Sequence, residues 1–501
     1  MIKHFQKIIA ISAVFLLLTT ALPVLALDIL QPTDFEEERW SKNIDFFDYV
    51  RLHATLLGKT PPAENEHAYL NLAYINASGL QVLSAGLFNI TDEENALTIP
   101  IQTTMIHYTS KDGLKDVVTA SSFVMLMAFN ENQDTIFADS PDKNDTLYAS
   151  FSLGYDLNQL FENSKPDLNS KTEVIPLTSS EDGLVWTWGM KYTDLAALWW
   201  KTSIDPNKPT RDARPIALTV YDELTFTYEL RIDPETGEAT LNMNYVIGKM
   251  RDLWVFAWLI FIPFPTHYNA TGSYRLNGQQ ISTETIHDFI HNQGIKMSTV
   301  NFQGTAILDH TAYFESSDIN VQDNDVVVND SAIETFSDDG EKILEANFAT
   351  KETYNLFNFT SDSTETIYET YQTTTRTSKI AGFAQNPIFV VHTSLMRLIP
   401  AVMASIDPEL YQQAKDHLLD MNYADYFYIT AYPEYSGYRI EHDPTITAYC
   451  NIVAEEPLPK DHTPLGGIGA LILISIGVAL LVILAVVLRR KNNSESKRIS
   501  T

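Results

Sequence analysis

Between Phe226 and Ile247 apolar and polar residues alternate almost without a break. Phe226, Tyr228, Leu230 and Ile232 mark the outbound run and Ala239, Leu241, Met243, Tyr245 and Ile247 the return, with Asp233-Pro234-Glu235-Thr236-Gly237 between them. A period of two places one apolar row on one face of a strand, proline presets φ for the first turn position, and glycine supplies the left-handed residue, so the pattern predicts a β-hairpin. Strand-length runs rich in branched and aromatic residues recur at 70–75, 97–107, 117–129 and 146–153, separated by turn clusters such as Ser110-Lys111-Asp112-Gly113. The expected fold class is mainly β: an antiparallel, β-sandwich-like region made of two β domains.

Other periodicities interrupt the strands. Ile44, Phe47, Val50, Leu52, Leu56 and Leu57 are spaced closer to a helix than to a strand, so 34–57 is expected to be helical. The lysine-, proline- and serine-rich stretch 162–183 reads as a break, and Ile204-Asp205-Pro206-Asn207-Lys208-Pro209 places a domain boundary near 205. This divides the β-rich chain into 27–205 and 206–454. The polar segment 318–339, with a short valine run at 326–328, reads largely as a solvated loop. At Asp407 a cap precedes Pro408 and Glu409, and Leu410, Ala414, Leu418 and Met421 form a helical stripe; with the apolar run before it, 387–422 is expected to be a small helical insert.

Residues 465–488 contain no charged side chain. A helix of that length reaches about 36 Å, enough to cross a hydrocarbon core about 30 Å thick. Arg489, Arg490, Lys491, Lys497 and Arg498 follow this segment and only Lys460 lies close before it, so the tail 489–501 is expected to be cytoplasmic. At the other end Lys3 and Lys7 precede an apolar run and Val24-Leu25-Ala26, the pattern of a signal peptide over 1–26. The expected product is a single-pass, type I cell-membrane protein with its ectodomain outside and a proline-containing stalk at 455–464.

Charge and cysteine content narrow the partners. The whole chain carries a formal net charge of −30 and has one cysteine, Cys450, expected to be a small buried strand residue. Without the two ends, residues 28–464 hold 27 basic and 63 acidic side chains. Such a surface repels nucleic acid, which is excluded as a partner, and attracts divalent cations or basic groups. One cysteine permits no intramolecular disulfide, a composition that suits a prokaryotic surface better than a eukaryotic one.

Three stretches carry candidate chemistry. Asn130, Asn132 and Asp134 have the 1, 3, 5 spacing of oxygen ligands in a calcium loop, Ile136 offers its carbonyl at position 7, and Asp139 or Asp142 would complete the set. The stretch resembles the acidic calcium loops of surface proteins, but Thr135 replaces the sharp-turn glycine and Pro141 stands where a bidentate acid belongs. A polar loop joining two strands explains the same residues. His287-Asp288-Phe289-Ile290-His291 resembles the zinc-protease spacing, yet Ile286, Ile290 and the nearby threonines favour a strand, in which the two histidines would lie about 13 Å apart. The aromatic run 253–265, ended by proline, is too short to span a bilayer. Its default place is the core, but Trp254, Phe256 and Trp258 share one strand face that would also serve as a sugar-stacking platform or a loop dipping into a membrane. Trp186, Trp188, Trp199 and Trp200 pose the same choice.

Six N-glycosylation sequons occur, at Asn76, Asn89, Asn144, Asn269, Asn329 and Asn358. Serine-elbow, phosphate-loop and dinucleotide motifs are absent from the sequence. The expected function is therefore binding, adhesion or envelope structure at the cell surface, with a carbohydrate or surface-protein ligand and calcium as the one candidate cofactor. The rival expectation is a membrane-anchored extracellular hydrolase, glycosidase-like or metal-dependent.

Overall fold

The computed structural model describes residues 39–45, 67–77, 80–91, 96–97, 102–109, 116–130, 146–151, 170–202, 214–259, 262–275, 277–307, 312–315, 319–322, 325–328, 332–337, 340–347, 353–358, 367–372, 374–379, 422–432 and 437–449, with positions 48, 51, 63–65, 100, 161 and 435. The signal segment, the helical stripe at 407–421, the stalk, the apolar segment 465–488, the tail and Cys450 lie outside the described residues. Among the described residues no helix is long and apolar enough to cross a membrane.

Among the described residues the protein is mainly antiparallel β, and the one helix described from end to end is the short Ile286–Asn292. Strands β1 (Arg39–Asp45), β2 (His67–Ala77), β3 (Leu80–Thr91), β4 (Ala96–Leu97), β5 (Gln102–Thr109) and β6 (Asp116–Asn130) open the chain. They pair as β1–β2–β3–β5–β6, with β4 added at the end of β3. Strand β7 (Thr146–Phe151) joins β6 to β9 (Val185–Thr202), which also takes β8 (Lys171–Ser179) and β10 (Ala217–Ile232). The strands on either side of residue 205 thus share one ladder. Strand β10 pairs in turn with β11 (Glu238–Ile247) and β12 (Met250–Leu259) along its two halves.

From β12 the chain runs through β13 (Ile262–Asn269), β14 (Gly272–Arg275) and β15 (Gln280–Ser282) to helix α1 (Ile286–Asn292). Strand β16 (Ile295–Ile307) returns to pair with β6. The remaining strands are β17 (Ala312–Glu315), β18 (Ile319–Gln322), β19 (Asp325–Val328), β20 (Ala332–Ser337), β21 (Lys342–Asn347), β22 (Thr353–Asn358), β23 (Ile367–Gln372), β24 (Thr374–Lys379), β25 (Asn422–Tyr432), β26 (Arg439–His442) and β27 (Thr445–Tyr449). Strands β26 and β27 close on β11, and β25 on β16, while β18 and β19 form a separate hairpin.

The hairpin expected at 226–247 forms as β10 and β11, with Ile232 opposite Ala239. Its turn is tied by the Gly237 amide donating to the Asp233 carbonyl at 2.8 Å and by Asp233 Oδ1 accepting from the Glu235 amide at 2.8 Å. Gly237 has φ 72°, the left-handed value that makes glycine the suitable residue there. Phe226, Leu241 and Ile247 are fully buried. Across the core Phe123 of β6 meets Phe226 edge-on at 4.8 Å, and Gln102 of β5 donates to the Tyr192 hydroxyl at 2.9 Å. Neither β5 nor β6 is a ladder neighbour of β9 or β10, so these contacts join two faces of a sheet that turns back on itself. Each such fully buried aromatic contributes about 1.5–3 kcal/mol.

Four local expectations are corrected. Residues 39–45 form a strand, not part of a helix, because Trp40 is buried against Tyr74 of β2, with ring centroids 5.5 Å apart; only Asp48 and Arg51 of that stretch are helical among the described residues. The break expected at 162–183 contains β8, whose Pro176 falls where the register with β9 shifts, a position that tolerates a missing amide. The segment 318–339 holds β18, β19 and β20, since its aspartates and asparagines interrupt, without abolishing, runs of branched residues. His287–His291 lies in α1, not in a strand.

Candidate functional site

The aromatic run 253–265 folds into the β12–β13 hairpin, and the two faces of this hairpin meet different surroundings. On one face Phe256 is buried with Leu198, Leu218 and Phe161, and Trp200, Trp254 and Trp258 pack half-buried around them. Phe161 meets Trp254 and Phe256 edge-on at 6.0 and 5.9 Å. Trp258 is fixed further by its indole N–H, which donates to the Pro215 carbonyl at 2.8 Å, and by the Arg214 guanidinium 5.7 Å from its ring. This is a small second core. Trp186, Trp188 and Trp199 belong to the main core.

The opposite face begins in the main core. Leu253 is fully buried and Val255 packs against the same cluster. The next residues on that face, Ala257 and Leu259, face Phe264 and Ile262 across the hairpin, and there the covering layer stops. Leu259 is 62% exposed, Ile262 50% and Phe264 51%. Exposed large apolar side chains grouped in this way mark a surface for binding or membrane contact more often than single ones do.

Charged side chains brace the base of the hairpin. His267 Nε2 donates to Asp252 Oδ1 at 2.8 Å, and its ring lies flat on Trp254, 4.5 Å between centroids at 8°. Arg251 Nε donates to Asp252 Oδ2 at 2.9 Å, while Arg251 Nη1 reaches Asp194 of β9. Burial pushes the Asp252 carboxyl up, but the hydrogen bonds from His267 and Arg251 outweigh it and hold it below the usual carboxylate range. Asp194 is a non-glycine residue with φ 52°, next to the register shift between Val220 and Tyr221 of β10. Its ion pair with Arg251 compensates that strained backbone. On the other side Tyr268 packs on Phe289 of α1 at 4.4 Å.

Asp252 and His267 make the orienter and base of a catalytic triad in outline. Among the described residues no hydroxyl or thiol is hydrogen-bonded to His267 to serve as nucleophile, and no group of three metal-binding side chains gathers there or elsewhere. What the arrangement does is brace the hairpin, at Asp252 and His267 and again where the Phe256 amide and the Trp258 indole donate to the Ile216 and Pro215 carbonyls, while Leu259, Ile262 and Phe264 stay exposed.

The other candidate residues fall as follows. Asn130 ends β6, and its amide Nδ2 donates to the Gln293 carbonyl beyond α1. Asn132, Asp134, Ile136, Asp139 and Asp142 lie outside the described residues. His287 stacks on Tyr438 at 4.3 Å, and Asp288 is occupied in capping α1. Among the sequon residues, Asn76 is half-buried in β2 and Asn269 ends β13 with its Oδ1 accepting from the Thr271 amide and hydroxyl, each at 2.8 Å. Asn89 and Asn358 are strand positions, and Asn144 and Asn329 lie outside the described residues. The sequence reading singled out the Trp254, Phe256, Trp258 face; the exposed one is its reverse.

In comparisons with protein-family models, with curated proteins and with solved structures, the chain matches none.

Proposed function

We propose that this chain is a cell-surface protein, anchored type I through 465–488 after removal of 1–26, whose β-sandwich ectodomain of two β domains has a binding, adhesion or envelope-structural role. The observation that carries the reading is the β12–β13 hairpin, braced at its base by Asp252, His267 and Arg251 and presenting Leu259, Ile262 and Phe264 to solvent. Evolution rarely leaves such a group uncovered on a stable scaffold without a partner for it. The acidic surface, the sequons and a calcium ion at the 130–142 loop belong to the same proposal, with the ion and the glycans stabilising or shielding the surface that meets a carbohydrate or surface-protein ligand.

Protease shaving tests the anchoring. Protease added to intact cells is expected to remove the bulk of the chain and to spare a tag placed after Thr501. An ectodomain that stays protected overturns it. For the binding role, cells displaying the wild-type chain are expected to adhere to a partner surface better than cells displaying Phe264→Asp at equal surface amounts. Equal adhesion overturns that part.

A further inference from the structure

We infer that the tip of the β12–β13 hairpin inserts into a lipid bilayer, and that this bilayer is a different one from the membrane that holds the C-terminal anchor. The second half of the inference rests on the proposed type I topology; the first half rests on the hairpin alone.

The tip lies at the end of its sheet. Strand β12 pairs with β10 only as far as Val255, opposite Ala217, and β14 reaches β13 only from Thr266 onward. Beyond these limits, among the described residues, 256–259 and 262–265 are paired in the ladder with each other, and the strand is held to the sheet by the Phe256 amide and the Trp258 indole N–H, which donate to the Ile216 and Pro215 carbonyls at 2.9 and 2.8 Å. The exposed row, Leu259, Ile262 and Phe264, therefore lies at the far end of the described pairing.

The chemistry selects lipid over another strand. Pro263 and Pro265 stand on the side of β13 that β14 leaves uncovered, and proline has no amide hydrogen to offer an added strand, so the edge is a poor template for a second copy. From Leu253 to Tyr274 there is no aspartate, glutamate, lysine or arginine, in a chain whose net charge is −30. An acidic tip would be repelled by phosphate headgroups; this one carries no charge into them. Beside the exposed row, on the other face, the half-buried Trp258 ring lies with the Arg214 guanidinium 5.7 Å away, a pairing of the kind found at a headgroup interface.

The registers then say which bilayer. Val255 lies opposite Ala217 at one end of β10, whereas Tyr449, the last residue of β27, lies opposite Glu238 just past the other end. Strand contour from that end to Leu259 is on the order of 60 Å. The 16 steps from Tyr449 to Leu465 span at most about 58 Å when fully extended. Tyr449, the last described residue before the expected anchor, sits at the end of the ladder opposite to the tip, so with the anchor beyond that end the tip is directed away from the anchoring membrane.

The test uses the full chain in lipid nanodiscs, mixed with protein-free phosphatidylcholine vesicles and separated by flotation. Wild type is expected to float with the vesicles, and the pair Ile262→Asp and Phe264→Asp to lower the bound fraction at least about tenfold, with Leu259→Asp as an independent variant at an exposed position. Brominated lipid placed only in the vesicles is expected to quench tryptophan fluorescence, and Trp258→Phe to remove most of that quenching. Three results overturn the inference: wild type that stays with the nanodiscs, variants that float as well as wild type, and self-association without vesicles that the same variants abolish. Quenching by brominated lipid in the nanodisc alone overturns the choice of bilayer while leaving the insertion standing. If the chain proves soluble without nanodiscs, flotation in plain buffer still reads the tip, so failure of the anchor and failure of the tip are told apart.

Discussion

Thr285 and Asp288 cap each other at the start of helix α1. The Asp288 amide donates to Thr285 Oγ1 at 3.2 Å, and Asp288 Oδ2 accepts from the Thr285 amide at 2.9 Å and from its hydroxyl at 2.8 Å. The exchange satisfies two groups that a helix start otherwise leaves open, and it orients Ile286 and Ile290 into the core, where both are fully buried. Thr285→Ala is expected to lower stability by about 1 kcal/mol, read as a shift of the denaturation midpoint. The hydrogen bonds from Thr285 hold the Asp288 carboxyl below the usual carboxylate range. A depressed carboxylate contributes its stability above its unfolded value and loses it as pH falls through the folded one, so the contribution is present at neutral pH and absent in strong acid. Asp288→Asn should remove that acid-dependent part; an unchanged pH profile would refute the capping role.

The same motif shows how far the sequence could be read. The β10–β11 hairpin was legible because its signals are local: a period of two and a turn with proline and glycine in register. Helix α1 was not, because isoleucine and threonine speak for a strand until Thr285 is recognised as a cap. Strand β1 was misread for a different reason, since Trp40 owes its place to Tyr74, far along the chain. For the hairpin of the candidate site, the apolar character of 253–265 was plain. Which face would be open was not, because it depends on where the covering strands end, and the ends of β10 and β14 are set by long-range pairing.

Gly189 lets β9 approach β10 closely. A Cβ at this position would overlap the carbonyl oxygen of Phe226, a backbone atom that cannot step aside without moving its strand. Gly189→Ala is expected to cost about 1–3 kcal/mol or to prevent folding. Gly183, in the β8–β9 turn at φ 69° with no atom within 4 Å of a Cβ, makes the comparison. There alanine meets only backbone strain, about 1 kcal/mol. Thermal unfolding of the two variants should rank Gly189→Ala below Gly183→Ala, and the reverse order would contradict the close packing of the two strands.

His442 is buried in β26, opposite Tyr245 of β11 and edge-on to the Tyr432 ring at 5.7 Å. Burial pushes its pKa down to about 3. The unfolded chain, in which a histidine titrates near 6.5, then binds the proton more readily than the folded one, so stability is full above about pH 6.5 and falls as pH drops toward 3. Carboxylates add their own acid dependence, and the contrast with a variant isolates the histidine. His442→Phe should flatten the wild-type decline between about pH 6.5 and 3 in a series of urea midpoints. Parallel curves for the two proteins would mean that His442 is protonated, or exposed, in the folded state.

Calcium at the 130–142 loop makes the remaining prediction. Asn130 is held at the end of β6 by its bond to the Gln293 carbonyl, and the acids expected to complete a calcium set with it, Asp134 with Asp139 or Asp142, follow it in sequence. An ion that binds the native state alone adds RT ln(1 + [L]/Kd), about 2.7 kcal/mol when calcium is a hundredfold above Kd. The full chain in detergent should therefore melt several degrees higher in millimolar calcium than in chelator, and Asp134→Ala should erase the difference while leaving the chelated protein close to wild type. A calcium shift that survives Asp134→Ala would place the ion elsewhere on the acidic surface, and no shift at all would leave 130–142 as a polar connection between β6 and β7. Removing the Asn144 sequon separates a third effect: a glycan there would hold the loop away from ion-binding geometry, so a calcium shift larger in Asn144→Gln than in the glycosylated wild type would show both occupying one loop.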